Sequence, residues 1–292
     1  LDLIKKYNAR ALTPVEEHGV LFKRDDLFVP FSDSKLCGGK ARQAIYLFND
    51  NYKHIKENCN NTVATASSVK SPQLFIIAKL SKLINANFIC AIGTHATLEK
   101  TTEVNKMVSM SRELGADIRI VSKMSYNNVL YSKLNEMQET EPHFNVGFGI
   151  NLKENFNAIV GSVADQVQNL PKDLNNLIIP VGSAVTMTGI LVGLQKYNIN
   201  PKRVIGIQTA GFDRTKDIDN ALPFEYKDVK YEFIIDKTYK YAKRLKKVIE
   251  GTDIQLSPIY ESKAYEYAVK NDLLKTNKDL FWIVGNEDTI LE

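Results

Sequence analysis

Short apolar runs alternate along this chain with longer segments of helical period, and that alternation restricts the fold more than any other feature. The runs read as strands at Thr62–Ala66, Asn87–Ile92, Asp117–Val121, Asn176–Pro180, Arg203–Thr209 and Leu280–Val284. Between them, Pro72–Ile84 carries Leu74, Ile77, Ala78, Leu80 and Ile84 on one face, and Thr97–Leu114 runs to Gly115, a residue suited to end a helix. Helices are also expected at Ala41–Phe48, Asn155–Asn169 and Thr188–Tyr197. Strand and helix in regular succession build parallel α/β layers. The expected fold class is α/β, with two doubly wound open sheets and a cleft between two lobes as the natural ligand site. The boundaries give a large domain of residues 1–45 and 152–292 and a small domain of residues 46–151.

Composition removes several classes of function. The 292 residues are 44% hydrophobic and 25% charged, which suits a globular chain rather than a disordered one. No run approaches the roughly 18 apolar residues of a membrane span, and Leu1 to Lys6 lacks the pattern of a signal peptide. Cys37, Cys59 and Cys90 form neither a disulfide framework nor a CxxC clip and suit a reducing cytoplasm. His18, His54, His95 and His143 are scattered without metal-ligand spacing, so no metal is expected. The net charge of +4 matters only where it clusters. Lys237, Lys240, Lys243, Arg244, Lys246 and Lys247, interleaved with Tyr239 and Tyr241, read first as the solvated face of a helix and second as a stretch that meets phosphates.

Four segments can carry chemistry. Lys23-Arg24-Asp25-Asp26-Leu27 is followed by Cys37-Gly38-Gly39-Lys40-Ala41-Arg42, where two glycines allow close backbone approach and a lysine opens a helix. Such an amine, desolvated and near Arg42, would have a lowered pKa and could form a Schiff base. Pro180-Val181-Gly182-Ser183-Ala184-Val185-Thr186-Met187-Thr188 brings small and hydroxyl residues to a helix N-terminus, where backbone N–H groups and the Ser183, Thr186 and Thr188 hydroxyls can cradle a phosphate; a capped turn would look the same. Ser71-Pro72-Gln73 follows a strand; proline in the first helical turn explains it without function, while hydroxyls at the carboxyl end of a parallel strand lie where α/β proteins bind ligands. Tyr260-Glu261 offers a phenol and a carboxylate after Pro258, or caps a surface helix.

Together and in this order, these segments resemble the fold-type II pyridoxal-phosphate enzymes, the tryptophan synthase β-subunit superfamily. They are most similar to the 1-aminocyclopropane-1-carboxylate deaminase and D-cysteine desulfhydrase family. Leu12-Thr13-Pro14-Val15-Glu16 resembles its opening segment, and Gly38-Gly39-Lys40-Ala41-Arg42 falls where the family has Gly-Asn-Lys-Thr-Arg. The resemblance implies that pyridoxal 5'-phosphate sits between the lobes, in the large domain, with Lys40 as its Schiff-base lysine. It places Ser71 on the active-site serine, Gly182, Ser183, Ala184, Val185 and Thr186 on the phosphate loop, and Tyr260-Glu261 on the Tyr-Glu pair whose glutamate faces the pyridine nitrogen. Lys40, Ser71 and Tyr260 are the implied catalytic residues. A homodimer is also implied. The family's asparagine is Gly39 here, its Ser-Asn-His is Ser71-Pro72-Gln73, and the final strand lacks His-Thr-Gly-Gly, so the family's reactions do not carry over by name.

The expected activity is formation of a Cα carbanion from a small amino acid, as in deamination, β-elimination or racemisation. An alternative is a decarboxylase or isomerase acting on an amino-acid adduct, such as a glycine adduct of thymine in phage DNA. There nucleic acid would carry the substrate and the host cytoplasm would be the compartment. A third reading is a binding protein that retains the fold without turnover.

Overall fold

The computed structural model describes residues 1–32, 34, 37–147, 156–209, 213–226, 229–240 and 243–285. Its strands are β1 (Val15–His18), β2 (Val20–Arg24), β3 (Thr62–Ser67), β4 (Asn87–Gly93), β5 (Asp117–Ser122) and β6 (Phe144–Val146). They continue as β7 (Asn176–Val181), β8 (Arg203–Gln208), β9 (Glu232–Ile235), β10 (Lys247–Val248), β11 (Gln255–Leu256) and β12 (Asp279–Ile283). The helices are α1 (Leu3–Lys6), α2 (Gly39–Asn58), α3 (Pro72–Leu83), α4 (Leu98–Val104) and α5 (Lys106–Glu113). After them come α6 (Asn127–Gln138), α7 (Phe156–Ala164), α8 (Val185–Lys196), α9 (Thr215–Ala221) and α10 (Glu261–Lys270). The chain divides into two compact units, Leu1–Leu3 with Ala44–Asn151 and Ile4–Gln43 with Leu152–Glu292.

The first unit holds a parallel sheet of order β5-β4-β3-β6. Ala64, Ala66, Ile89 and Ala91 turn small side chains to one face, which lets Leu130 and Leu134 of α6 pack onto it. The second unit holds a six-stranded sheet of order β1-β2-β12-β7-β8-β9, parallel except for the β1–β2 hairpin. Successive residues face opposite sides, as strand geometry requires. Leu177, Ile179 and Leu280 pack with Val163 of α7 and Leu191 of α8, whereas Ile178, Ile205 and Phe281 pack with Ala264 and Ala268 of α10. Both faces are therefore covered, and each fully buried large apolar side chain contributes about 1.5–3 kcal/mol.

The six expected strands are present with ends shifted by a residue or so. The expected helix from Thr97 to Leu114 is instead two, α4 and α5, because Asn105 adopts an extended backbone (φ −122°, ψ 100°). Helix α8 starts at Val185 rather than Thr188, since the left-handed Ala184 completes the turn. Helix α7 ends at Ala164 and passes into a 3₁₀ turn at Asp165–Val167, while Asn155 lies outside the described residues. The basic run is no helix face: its described residues form an irregular connection that ends in β10, and Tyr241 lies outside them. No helix among the described residues is long and apolar enough to cross a membrane.

Candidate active site

In the second unit the five parallel strands end on one edge. There β2 is followed by Asp25, β12 by Val284, β7 by Gly182, β8 by Thr209 and β9 by Asp236. The carboxyl edge of an open parallel sheet is where α/β proteins place ligands.

Lys40 is half-buried in the first turn of α2. Its place is fixed by the two glycines before it. Gly38 has φ +87°, and a Cβ there would lie 2.2 Å from the Val284 carbonyl oxygen and 2.7 Å from Gly285 Cα. The Gly39 amide donates to that same carbonyl at 2.9 Å, and the Gly38 amide to Phe28 O at 2.9 Å. Gly38 is thus a site of backbone packed on backbone, which no larger residue permits, whereas a Cβ on Gly39 would meet only side chains, the nearest being Asp25 Oδ2 at 3.2 Å.

Arg42, two residues after Lys40, is engaged with Asp25. Its Nη1 donates to Asp25 Oδ1 at 2.7 Å, in an ion pair whose side chains are both out of solvent. Asp25 also accepts from Thr13 Oγ1 at 3.1 Å and from Trp282 Nε1 at 3.4 Å. Beside them Lys23, wholly buried, donates to Thr13 O and Asn169 Oδ1, each at 2.7 Å. Burial lowers the Lys23 pKa to about 8; nearby Asp25 opposes the shift and Arg42 adds to it. A polar network of this kind under an apolar sheet edge was not legible in the sequence, although the charge-dense stretch Lys23 to Asp26 was a signal for it.

The Gly182–Thr186 segment turns from β7 into α8. Ala184 takes up φ +72°, and no side chain caps the helix. Gly182, Ser183 and Thr186 are half-buried while Ala184 and Val185 are buried, so the accessible positions surround a helix N-terminus whose amides favour an anion. Thr188 drops out of the expected cradle: its hydroxyl is buried and donates to Ala184 O at 3.1 Å. The Gln208 side-chain amide holds the turn through Gly182 O at 3.0 Å.

Tyr260 and Glu261 open α10. The Tyr260 ring lies against Gly182, with Cε1 3.4 Å from the position a Cβ would take there. Glu261 is buried, and Oε1 accepts the Val284 and Gly285 amides at 2.6 and 2.9 Å while Oε2 accepts the Ser257 amide at 3.0 Å. One chain of contacts therefore joins the Gly182–Thr186 turn to Tyr260-Glu261, to Val284-Gly285 and to the turn of Lys40.

Ser71 belongs to the other unit. It caps α3, accepting the Gln73 amide at 3.3 Å, with Pro72 in the first turn. Gln73 is buried, and its amide nitrogen donates to Thr65 Oγ1 at 2.9 Å and Gly147 O at 3.1 Å, tying the ends of β3 and β6. His54 Nε2 contacts Cys59 Sγ at 3.4 Å and His143 Nδ1 lies 2.7 Å from Glu141 O. Among the described residues no three His, Cys, Asp or Glu side chains gather as metal ligands.

The chain resembles known proteins both in sequence and in fold. The chain is 29% identical over 259 residues to the O-seryl-dTMP PLP-dependent decarboxylase of Salmonella phage ViI, covering 83% of this chain and 59% of that relative's length. It shares its fold with the O-acetylserine dependent cystathionine β-synthase of Helicobacter pylori, at a TM-score of 0.66 and 17% identity, covering 98% of this chain and 96% of that one. The L-serine ammonia-lyase of Rhizomucor miehei superposes at 0.63 and 12% identity, covering 94% and 93%. A family model for pyridoxal-phosphate dependent enzymes matches residues 7–236, and the chain belongs to that family.

Proposed function

We propose that this enzyme removes the carboxylate from the α-carbon of an amino acid whose side chain is joined to a nucleotide. The observation that carries this reading is the 29% identity to the phage O-seryl-dTMP decarboxylase. The crystal neighbours share the fold and argue for no particular reaction.

The residues of the second unit fit pyridoxal phosphate. The turn before α8 presents backbone amides that no side chain caps, beside a glycine whose missing side chain leaves space next to Tyr260. A dianionic phosphate matches that donor set. When bound, pyridoxal phosphate supplies a conjugated ring that takes up the electron pair left behind when a bond at Cα breaks. In this proposal Lys40 Nζ holds the aldehyde carbon, and the Gly182–Thr186 turn holds the phosphate through its amides and the Ser183 and Thr186 hydroxyls. Tyr260, whose ring adjoins that turn, is assigned to hold or deliver a proton at its phenol oxygen. Ser71 is assigned to the substrate carboxylate on the resemblance alone.

A nucleotide-borne substrate also gives the basic segment a use. Lys237, Lys240, Lys243, Arg244 and Lys246 are exposed. The segment is tied to the Tyr260 loop, since Leu245 N donates to Pro258 O at 2.9 Å and Lys263 Nζ to Lys240 O at 3.2 Å. Cations so placed would attract the phosphates of a nucleotide or of DNA that carries the amino acid.

The test is a substrate comparison. O-seryl-dTMP, free and within DNA, should yield carbon dioxide and a product in which a proton replaces the carboxylate at Cα, whereas free L-serine should be a poor substrate. Release of ammonia and a keto acid from free amino acids, with no reaction of the nucleotide, would replace this reading by a deaminase or lyase. No turnover of any amine, with the cofactor bound, would leave a binding protein.

A further inference from the structure

We infer that Glu261 is a positioning residue, gripping the peptide of Val284 whose carbonyl in turn holds the Lys40 turn. The Val284 and Gly285 amides lie just past Ile283, the last residue of β12 paired with β2, and both donate to Glu261 Oε1. The opposite side of the Val284 residue accepts the Gly39 amide at 2.9 Å and stands 2.2 Å from where a Cβ on Gly38 would be. Glu261 thus holds Val284 by its N–H, and Val284 holds the residue before Lys40 by its C=O.

A carboxylate suits this task better than any neutral side chain. It accepts backbone N–H groups on both oxygens, and bonds to an ionised acceptor are roughly twice as strong as neutral ones. Glutamine would keep one accepting oxygen and turn an NH₂ group toward a donor. The Ser257 amide, on Oε2, anchors the carboxylate to its own loop. A role at the pyridine nitrogen would call on the same oxygens. The inference rests on the reading that Lys40 carries the cofactor, and its test separates the two.

Hydrogen exchange is followed at the amides of Ser257, Val284 and Gly285 in cofactor-free wild type and Glu261→Gln, and the pH dependence of the bound-cofactor absorption is recorded for both. In wild type, protection is expected at Val284 and Gly285 although they lie beyond the paired strand. In Glu261→Gln their exchange should be faster by about ten- to a hundredfold, the equivalent of one lost charge-assisted hydrogen bond. Because the Lys40 turn then shifts, the absorption should titrate at a different pH and cofactor should dissociate faster. Unprotected amides in wild type would overturn the inference. So would unchanged exchange in Glu261→Gln together with an altered absorption band, the signature of a ring-nitrogen partner. Should Glu261→Gln fail to fold, wild-type protection alone decides. A cofactor mapped to another lysine, with the exchange results as expected, would refute the Lys40 reading and not the grip on Val284.

Discussion

The Tyr260 ring packs against Gly182, with Cε1 3.4 Å from the place of a Cβ, an ordinary contact distance. Alanine at 182 therefore fits, but any longer side chain must leave the tyrosine and enter the space in front of the α8 amides. Gly182→Ala is expected to bind pyridoxal phosphate almost as wild type does. Gly182→Leu should bind it at least about tenfold more weakly, a loss of about 1.4 kcal/mol, with the melting temperature nearly unchanged. Titration of the cofactor absorbance measures both; equal affinities would place the phosphate elsewhere.

Lys23 makes stability depend on pH in a direction its chemistry fixes. Its pKa falls from 10.5 to about 8 on folding, so below pH 8 both states carry the proton and the cost of the buried charge is constant. Between about 8 and 10.5 the folded protein releases the proton first, and stability gains up to about 3 kcal/mol as pH rises. Denaturant unfolding of wild type and Lys23→Met across this range should show wild type gaining on the variant. A difference that does not change with pH would contradict the assignment.

The Asp25–Arg42 pair is buried on both sides, so its partners cannot be removed singly without leaving a charge in the core. Arg42→Met should cost about 3–5 kcal/mol, read as a lowered urea midpoint at unchanged m-value. Asp25→Asn combined with Arg42→Met should recover part of that loss. If the double variant is no more stable than Arg42→Met alone, the pair is not coupled as described.

Of the parallel strands, β3, β4, β5, β7, β8 and β12 were legible, most of them because burial on both faces writes continuous apolar runs such as Leu177-Ile178-Ile179 into the sequence, whereas the three- and four-residue β6 and β9 were not. Strands β1 and β2 were not, since β1 is a half-exposed edge carrying Glu16, Glu17 and His18, and β2 buries Lys23 and Arg24. The break at Asn105 was hidden because buried Thr101 and Val108 keep a helical spacing across it. At the site, Gly38, Gly39 and Lys40 were legible as a local motif. The backbone partners of Glu261 at Val284 and Gly285 were not, because they come from a distant strand end that only the folded sheet brings near.

Reductive trapping tests the central claim most directly. Borohydride is added to the purified enzyme with bound cofactor, and the pyridoxyl-labelled peptide is located by mass spectrometry. Two other lysines of the same unit, Lys23 and Lys263, are buried and have pKa values lowered by burial, so either could compete for an aldehyde. The account predicts the label on Lys40 and its loss in Lys40→Ala. A label on Lys23, on Lys263 or on no lysine at all would contradict it.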